Sequence, residues 1–333
     1  MAQPKLHDVA RVAGVSPTTV SRVLNNRGYI SQQTRDKVYE AMASIHYQPN
    51  AIARSLQGAK AHLVGLIFPT VANPFYGELA SLIESRLADE GYKVVLCNSQ
   101  DRPEAEQRYL DMLVSHQVDG IITGAHSDVI ANSPYLAAPL VTIDRAEGGR
   151  YPNVRCDNLQ GAFDATRLLI ASGARRIVHF TSTQSANNLR QQGYLRAIEQ
   201  AQLIPDIIEL GFAASAEQHR TRVFTYLDRH REVDAVFASN DSYAAMALQW
   251  AEQERICVPD SLQIIGFDGT TTVRGLLPHL ATVVQPIEDL AGAAVDRLLH
   301  LINASETVTV NGEGSSEVLP ITIHRGTTVR SVS

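Results

Sequence analysis

The chain of 333 residues lacks long apolar runs, and it holds only three cysteines. No apolar stretch approaches the roughly 20 residues that a membrane-spanning helix requires. Charged side chains at Lys5, Asp8 and Arg11 interrupt the start of the chain, which argues against the apolar core of a signal peptide. The cysteines are far apart and odd in number, which favours reduced thiols in the cytosol over a disulfide framework or a zinc site. We therefore expect a cytoplasmic protein with no membrane partner.

The signatures of common catalytic and nucleotide-binding sites are also missing. The chain has no GxGxxG after a strand pattern, no GxxxxGK followed by Ser or Thr, no HExxH and no GxSxG. Its eleven histidines do not fall at the spacing of metal ligands, and the glycine-rich segment at 312–317 is interpreted as a loop. An enzyme, a cofactor and a metal are therefore not expected, and acid–base chemistry by Asp144, Asp268 and Arg190 is the weaker alternative.

Length and charge divide the chain into unlike parts. A chain of this length, with 44% hydrophobic and 19% charged residues, is long and apolar enough for two or three packed domains. Residues 1–60 carry eight Lys and Arg against three Asp and Glu, a formal charge of +5. Residues 61–333 carry 21 against 32, a formal charge of −11. A small basic segment on a large acidic one indicates a polyanion-binding module joined to a second functional unit.

The basic segment has the pattern of three short helices. Apolar residues recur at helical spacing before a glycine, which favours the end of a helix. Ser16 can cap a second helix that starts at Pro17 and runs to about residue 25, and Ser31 can cap a third over about 32–46. The apolar positions expected to face inward are Leu6, Val9, Ala10, Ala13, Val20, Val23, Leu24, Val38, Ala41, Met42 and Ile45. This arrangement is typical of a helix-turn-helix unit.

The outward face of the second helix is predicted to bind DNA. Short polar side chains let a helix enter the major groove, where an arginine can hold guanine O6 and N7 together. The predicted DNA-contacting residues of this helix are Pro17, Thr18, Ser21, Arg22 and Asn25. Lys5 and Arg35 beside it are expected to meet phosphates. The alternative is a three-helix packing unit with a polar exterior, which the local charge and the small side chains make less favourable.

After residue 61, short apolar strand patterns alternate with helical patterns. The predicted strands are 63–68, 93–97, 119–123, 139–143, 176–180, 234–238 and 262–267, and the predicted helices are 74–89, 103–116, 158–172, 187–202, 215–230 and 241–254. Repeated β-α units predict two doubly wound parallel sheets, each covered on both faces. The fold class is therefore an all-α head followed by an α/β body of two subdomains. Ligands of such sheets bind beyond the carboxyl ends of the strands.

Polar and aromatic residues follow these strand ends in both predicted subdomains. The predicted ligand-binding residues are Asn73, Phe75, Tyr76, Asp144, Arg145, Arg190, Phe212, Asn240, Asp268 and Gln285. Paired donors and acceptors suit the adjacent hydroxyl groups of a sugar, and aromatic faces suit its C–H surfaces. A single Asp at a strand end is more often a helix cap or turn residue, and Asp241 is expected to cap its helix. The prediction of a sugar site therefore depends on the whole set converging.

Two segments, LHDVARVAGVSPTTVSRVLNN and HYQPNAIARSLQG, closely resemble the LacI/GalR (lac repressor) family of bacterial transcription regulators, and the resemblance continues through most of the chain. It implies that Pro17, Thr18 and Arg22 occupy base-reading positions. It also implies a body related to periplasmic binding proteins. The implied domains are a helix-turn-helix DNA-binding domain at 1–48, a hinge at 49–60, and a sugar-binding and dimerisation domain at 61–333, with an N-subdomain at about 61–157 and 286–316 and a C-subdomain at about 158–285 and 317–333.

The hinge PNAIARSLQG is predicted to form one short helix that Asn50 caps and Gly58 ends. About seven residues is well below the roughly 12–15 at which a helix persists alone in water, so it should order only when it packs against something. The isolated apolar Leu56 then suits a wedge between base steps in the minor groove, and the alternative is an ordinary linker. The resemblance implies that two such helices from a dimer pack together on operator DNA.

The motifs NPFY, DR, SND, GFDGT and the Gln of VVQP resemble those that line the sugar site of ribose-binding proteins and related repressors. Tyr76 stands where Phe is commoner. We expect a sugar-responsive repressor that binds a palindromic double-stranded operator as a homodimer, with ribose ranked first as effector. Sucrose or another fructose-containing sugar ranks close behind, and a phosphorylated sugar remains open. The missing leucine heptad tail favours a dimer over a tetramer, and a sugar-binding protein or enzyme without DNA binding is the less favoured alternative.

Overall fold

The computed structural model describes residues 4–24, 28–47, 60–124, 129, 136, 138–145, 149–212, 214–304 and 316–331. The chain divides into two compact units, Met1–Ala61, which we name the head, and His62–Ser333, which we name the body. Three predicted DNA-contacting residues, Asn25, Asn50 and Leu56, lie outside the described residues, as do most of the predicted hinge and the start of the 312–317 loop.

Among its described residues, the head contains three helices, α1 (Leu6–Ala13), α2 (Pro17–Leu24) and α3 (Gln32–Ser44). Gly14 ends α1 in the left-handed conformation, with φ of 66°, which glycine adopts without strain. The Ser16 hydroxyl accepts a hydrogen bond from the Thr19 backbone N–H at 3.1 Å, and Ser31 caps α3 in the same way. The helix-turn-helix prediction is thus confirmed, with α3 ending two residues before its expected end.

The core of the head is formed by one face of each helix. Its buried residues are Val9, Ala10, Val20, Val23, Val38 and Ala41, and Leu6, Ala13, Leu24, Met42 and Ile45 pack against them partly buried. These are the apolar positions predicted from helical spacing. With about six fully buried side chains, the head presents most of its remaining surface to solvent.

The body alternates strands and helices along the chain. Its strands are β1 (Leu63–Phe68), β2 (Lys93–Asn98), β3 (Gly120–Thr123), β4 (Leu140–Ile143), β5 (Asn153–Cys156), β6 (Ile177–Thr181), β7 (Asp206–Glu209), β8 (Ala235–Ala238), β9 (Gln263–Asp268), β10 (Ala281–Val284), β11 (Ser316–Leu319) and β12 (Thr322–His324). The helices among its described residues are α4 (Pro74–Asp89), α5 (Pro103–Ser115), α6 (Asn158–Ala171), α7 (Leu189–Gln200), α8 (Ala216–Arg229), α9 (Asp241–Gln253), α10 (Thr271–Leu276) and α11 (Ile287–Asn303).

The strands form two six-stranded sheets. The first has the order β11-β5-β4-β3-β1-β2, with every neighbouring pair parallel. The second has the order β12-β10-β9-β8-β6-β7 and is parallel except for β12, which runs antiparallel to β10. We name the first sheet with α4, α5 and α11 the N-subdomain, and the second sheet with α6 to α10 the C-subdomain. The two predicted doubly wound sheets are confirmed.

Both faces of each sheet are covered by helices, which explains the nearly continuous apolar strands. Alternate residues of one strand enter different cores: Ile264 of β9 packs among α9 side chains, whereas Ile265 and Phe267 pack under α6 and α7. Helices α6 and α7 approach closely at Gly193, where a Cβ atom would lie 2.3 Å from the Leu159 carbonyl oxygen. This close packing brings the first turns of α6 and α7 together.

The chain crosses between the subdomains three times, and the third crossing differs from the prediction. All of β11 pairs with β5 in the first sheet, from Ser316 opposite Asn153 to Leu319 opposite Cys156. The last crossing therefore follows Leu319 and does not lie near 316. Strands β5, β7, β10, β11 and β12 were not predicted: each has only three or four residues, and in all of them except β10 at least half of those residues are polar. Within the described ranges, no helix combines the length and apolarity needed to cross a bilayer.

Candidate functional site

Helix α2 presents a polar face to solvent in the head. Pro17, Thr18 and Arg22 are exposed and Ser21 is half-buried, whereas the apolar residues of the same helix face the core. Residues four apart lie above one another on a helix, so these side chains share one surface. No described carboxylate forms an ion pair with Arg22, which leaves the guanidinium available for DNA. Four of the five predicted contacts of this helix are thus together on one face.

Two further cations of the head differ in their surroundings. Lys5 is exposed at the start of α1, and its backbone N–H donates to the Asp8 carboxylate at 2.9 Å. That hydrogen bond is the main reason why the pKa of Asp8 lies below its usual value. Arg35 is half-buried and its Nε donates to the Ile30 carbonyl at 3.5 Å. The phosphate-contacting roles of Lys5 and Arg35 stay predictions.

Arg190, in the first turn of α7, is the centre of a polar cluster in the body. Its Nη1 donates to Asp268 Oδ1 at 3.0 Å, and its Nη2 lies 3.6 Å from Asp144 Oδ2. Its Nε donates to Asn158 Oδ1 at 2.7 Å, and Nη1 also donates to the Ser239 carbonyl. Asp144 belongs to the N-subdomain and Asp268 to the C-subdomain, so one guanidinium joins groups from both, as the strand-end rule predicts.

Asp144 and Asp268 adopt backbone conformations that are unusual for residues other than glycine. Their φ angles are 58° and 106°, and each residue lies at the carboxyl end of a strand. Positive φ in such residues costs energy and occurs often at binding sites, where surrounding contacts hold it in place. Burial raises the pKa of Asp268 to about 6, although Arg190 opposes the rise. Two residues with unfavourable backbone conformations at strand ends therefore place their carboxyl groups against the Arg190 guanidinium.

Gln285 follows β10 and completes one side of the cluster. Its Nε2 donates to Asp268 Oδ1 at 2.8 Å. Its Oε1 is buried and accepts no hydrogen bond from the described residues. Buried polar atoms are nearly always paired, so an acceptor in this position is a candidate partner for a ligand hydroxyl.

The prediction that Asp241 caps α9 is wrong. Asn240 is the cap: its backbone is extended, and its Oδ1 accepts from the Tyr243 N–H at 2.9 Å. Asp241 lies one position further, inside the helix, and its carboxylate accepts from the Gly269 N–H at 2.8 Å and the Thr282 hydroxyl at 2.6 Å. Burial, and after it the charge of Asp268, raise the pKa of Asp241 to about 7. Asp241 therefore supports the loop behind Asp268.

The predicted aromatic residues of the N-subdomain lie at the start of α4. Asn73 caps this helix, with its Oδ1 accepting from the Phe75 N–H at 2.9 Å. Phe75 and Tyr76 are 3% and 5% exposed, and their ring centroids are 5.1 Å apart. Burial, and then Asp144, raise the pKa of the Tyr76 phenol well above its usual value. The phenol is thus close enough to the polar cluster for the carboxylates to act on it.

Arg145 and Phe212, two of the predicted ligand-binding residues, have no described side-chain contact with the Arg190 cluster. Arg145 is half-buried, and its backbone N–H and carbonyl oxygen both bond the Asn153 side chain, at 3.4 Å and 3.1 Å. Phe212 is half-buried in the loop between β7 and α8. Their roles in ligand binding stay predictions.

Asn158 and Phe267 belong to the cluster but were not predicted from the sequence. Asn158 is 4% exposed, and its side chain joins Arg190 to Asp144, to which its Nδ2 donates. It lies two residues after the end of β5, close enough for the strand-end rule to apply, but β5 itself was not predicted. Phe267 lies within β9, with its ring centroid 3.8 Å from the Arg190 guanidinium carbon, a cation–π contact that no strand-end rule could find.

The charge of the cluster restricts what it can bind. Two carboxyl groups, of Asp144 and Asp268, contact the one guanidinium of Arg190, and the buried carboxyl group of Asp241 bonds the loop behind Asp268. Because their oxygens accept hydrogen bonds and the amides of Asn158 and Gln285 can also donate, the cluster suits an uncharged molecule rich in hydroxyl groups. In the part of the chain that the structure describes, no cluster of three His, Cys, Asp or Glu side chains is placed to hold a metal ion.

Two family descriptions match this chain. Residues 5–50 match "Bacterial regulatory proteins, lacI family", and residues 166–328 match "Periplasmic binding protein-like domain". A sucrose operon repressor from Pediococcus pentosaceus is 41% identical over 329 residues, which cover 98% of this chain and 99% of that protein. A ribose operon repressor from Halalkalibacterium halodurans is 37% identical over 296 residues, which cover 88% of each chain.

A solved structure of similar fold extends the comparison to the whole chain. The lac repressor dimer bound to operator and the anti-inducer ONPF has a TM-score of 0.82 and 26% sequence identity. The match covers 99% of this chain and 100% of that one. The likeness therefore includes the helix-turn-helix unit, the two sheets and their order along the chain.

Proposed function

Because the chain belongs to the LacI family of bacterial regulatory proteins, we propose that it represses a sugar operon by binding a palindromic operator as a homodimer in the cytoplasm. It is a regulator and not an enzyme. The exposed polar face of α2 supports the DNA-binding part of the proposal, and the net charge of +5 on residues 1–60 supports it independently. Two identical heads would require a two-fold symmetric operator.

The effector site is assigned to the cluster around Arg190. The observation that carries this assignment is the single guanidinium that joins Asp144 of the N-subdomain to Asp268 of the C-subdomain. A sugar that bonds both carboxylates would favour the closed arrangement of the subdomains. A phosphoryl group would add negative charge beside the carboxyl groups of Asp144 and Asp268, which share the one guanidinium of Arg190, so an uncharged effector is favoured over a phosphorylated one.

The identity of the sugar is a finer proposal. The motifs alone rank ribose first, but the sucrose operon repressor matches this chain at higher identity and over a larger share than the ribose operon repressor. The effector is therefore proposed to be sucrose or another fructose-containing sugar. Ribose is the second candidate, because the ribose operon repressor is 37% identical over most of this chain.

The hinge proposal concerns residues outside the described ranges. The segment at 50–58 would be helical only on operator DNA, with Leu56 in the minor groove. Effector binding would separate the two hinge helices and release DNA. A 100-fold loss of operator affinity requires about 2.7 kcal/mol of coupling, which lies within the usual range. Slow amide exchange at 50–57 only in the operator complex without sugar would support this switch, and equal protection in all states would contradict it.

Operator binding and effector binding can be tested in one series. In vitro selection from random duplexes yields the preferred operator, and its affinity is then measured between about 50 and 200 mM salt, where a steep decrease is expected. Isothermal titration with sucrose, fructose, ribose and fructose 6-phosphate identifies the effector. Selection of no sequence would contradict the repressor proposal, and binding of the phosphorylated sugar alone would contradict the uncharged effector.

A further inference from the structure

Glu78 and Thr271 connect the two subdomains outside the Arg190 cluster. Glu78 lies on α4 of the N-subdomain, and Thr271 begins α10 of the C-subdomain. The Thr271 backbone N–H donates to Glu78 Oε2 at 2.8 Å, and the Thr271 hydroxyl donates to Oε1 at 3.0 Å. The Glu78 carboxylate thus makes a bidentate contact with Thr271, with one hydrogen bond to each oxygen.

The contact uses the free backbone donors at the start of a helix. The first N–H groups of α10 have no partner within the helix, and a carboxylate is favoured there by charge. The Thr270 hydroxyl oxygen accepts a hydrogen bond from the Val273 N–H at 3.2 Å, and the Thr271 N–H is bonded by Glu78 instead. Glu78 therefore meets Thr271 through both its backbone N–H and its hydroxyl group.

The position of Thr271 relates this contact to the effector site. Thr271 follows Asp268 by three residues, in a loop that Asp241 holds from behind through the Gly269 N–H. Glu78 follows Phe75 by one turn of α4. Glu78 thus joins α4, which carries Phe75, to α10, which begins three residues after Asp268. Glu78 itself has no described contact with Arg190, Asp144 or Asp268.

We propose that Glu78 is a positioning residue that holds the subdomains closed and keeps the Asp268 loop in its effector-binding arrangement. The part of this inference that concerns effector affinity rests on the proposed function. A contact present only in the closed arrangement shifts the population toward it, and an effector that binds that arrangement then binds more tightly. Glu78 thereby sets the effector concentration at which the protein responds, without touching the effector.

Subdomain closure can be measured without any effector. Cys97 and Cys156 are buried and Cys257 is exposed, so a Glu90→Cys variant offers one label on each subdomain. The distance between spin labels at positions 90 and 257 is measured in the Glu90→Cys variant and in the double variant Glu90→Cys, Glu78→Ala. A longer or broader distance distribution is expected without Glu78. The exposed Glu84 on the same helix supplies the control, since Glu84→Gln should leave the distribution unchanged.

Effector and operator affinities distinguish positioning from general stability. Titration with sucrose, fructose and ribose should show about 10-fold weaker binding for Glu78→Ala. Operator affinity in the absence of sugar should not fall, because the closed arrangement is the one proposed to release DNA. Glu78→Gln keeps one acceptor oxygen and should lose less. Thr271→Val keeps the backbone N–H and should lose least. This order, together with full affinity in Glu84→Gln, is the result that supports the proposal.

Two results would overturn it. Unchanged distances and unchanged sugar affinity in Glu78→Ala would show that the contact does not set closure. An equal loss of sugar affinity, operator affinity and melting temperature would show a merely structural role. If the wild type binds none of the three sugars, the proposed effector class is wrong, and the distance measurement on the sugar-free protein still decides whether Glu78 holds the subdomains closed.

Discussion

The head and the body present their recognition residues in opposite ways. In the head, one eight-residue helix carries Pro17, Thr18 and Arg22 on an exposed face. In the body, Arg190 meets partners from several distant segments, and the Asp144 and Asp268 side chains are only 10% and 7% exposed. A polyanion in water is met by exposed cations, whereas hydroxyl groups are distinguished by buried, oriented partners. Substitutions in the two regions should therefore affect two separate activities.

The largest effect is expected from Asp268→Asn in the body. The substitution removes the carboxylate that Arg190 and Gln285 both contact, and it leaves the guanidinium with a weaker partner. Because breaking one side of a buried ion pair costs about 3–5 kcal/mol, effector affinity should fall at least roughly 100-fold. Isothermal titration measures this loss, and fluorescence polarisation should show unchanged operator binding.

The exposed Asp260 provides the matched control for charge, since Asp260→Asn should change neither activity. Wild-type sugar affinity in Asp268→Asn would remove Asp268 from the site. A parallel loss of operator binding would show that the two regions are not separable.

The next largest effect is expected from Arg22→Ala in the head. Loss of a base-reading arginine should weaken operator binding by about 1–3 kcal/mol and relax preference at one base pair, with sugar affinity unchanged. Competition between selected operator and random duplex measures the specificity. Arg11→Ala, also exposed but paired with Asp8 at 3.3 Å, should cost less. If operator and random DNA weaken by equal factors, Arg22 contacts phosphate and does not read bases.

A smaller effect is expected from Asn158→Ala. This change removes the amide between Arg190 and Asp144 but keeps every charge of the cluster. Loss of buried hydrogen bonds of this kind costs about 1–2 kcal/mol, so effector affinity should fall roughly five- to thirty-fold. Asn187→Ala, exposed in the loop before α7, is the control. An effect as large as that of Asp268→Asn would mean that Asn158 contacts the effector directly.

The pH dependence of stability, which involves neither ligand, should have opposite sign in the two regions. Burial raises the pKa of Asp268 to about 6 and that of Asp241 to about 7. A raised carboxyl pKa contributes stability that is complete below about pH 4 and is lost as pH rises through these values. The pKa of Asp8 is lowered, so its contribution is present above about pH 4 and is lost below it.

Trp250 is the only tryptophan of the chain and lies buried in the body, so its fluorescence reports unfolding of that region. Urea unfolding should show a free energy that decreases between about pH 4 and 7. Asp241→Asn should flatten that decrease. The Asp8 carboxyl is followed separately by nuclear magnetic resonance. A flat profile in the wild type would show that Asp241 and Asp268 titrate normally.

Much of the candidate site followed from the strand-end rule, and its exceptions have local causes. Asp144, Arg190 and Asp268 were identified because each follows or faces the end of a strand whose apolar pattern is clear. Asn158 was missed because four-residue β5 gives almost no pattern. Asp241 was predicted to cap α9, but Asn240 is the cap. Asn and Asp are both common helix caps, so the residue types alone do not distinguish two adjacent candidates, and the backbone conformation does.

The amino-acid sequence by itself determined the three helices of the head and many of the elements of the body. Gly14, Ser16, Pro17 and Ser31 place helix ends through their own backbone and side-chain preferences, and apolar periodicity selects the buried faces. Only the tertiary structure decided which distant residues meet. The Arg190 cluster, the bonds of Asp241 to the Asp268 loop, and the pairing of β11 with β5 all depend on segments far apart in the chain. Local preferences act within a few residues, whereas these contacts form only once the two sheets and their helices have packed.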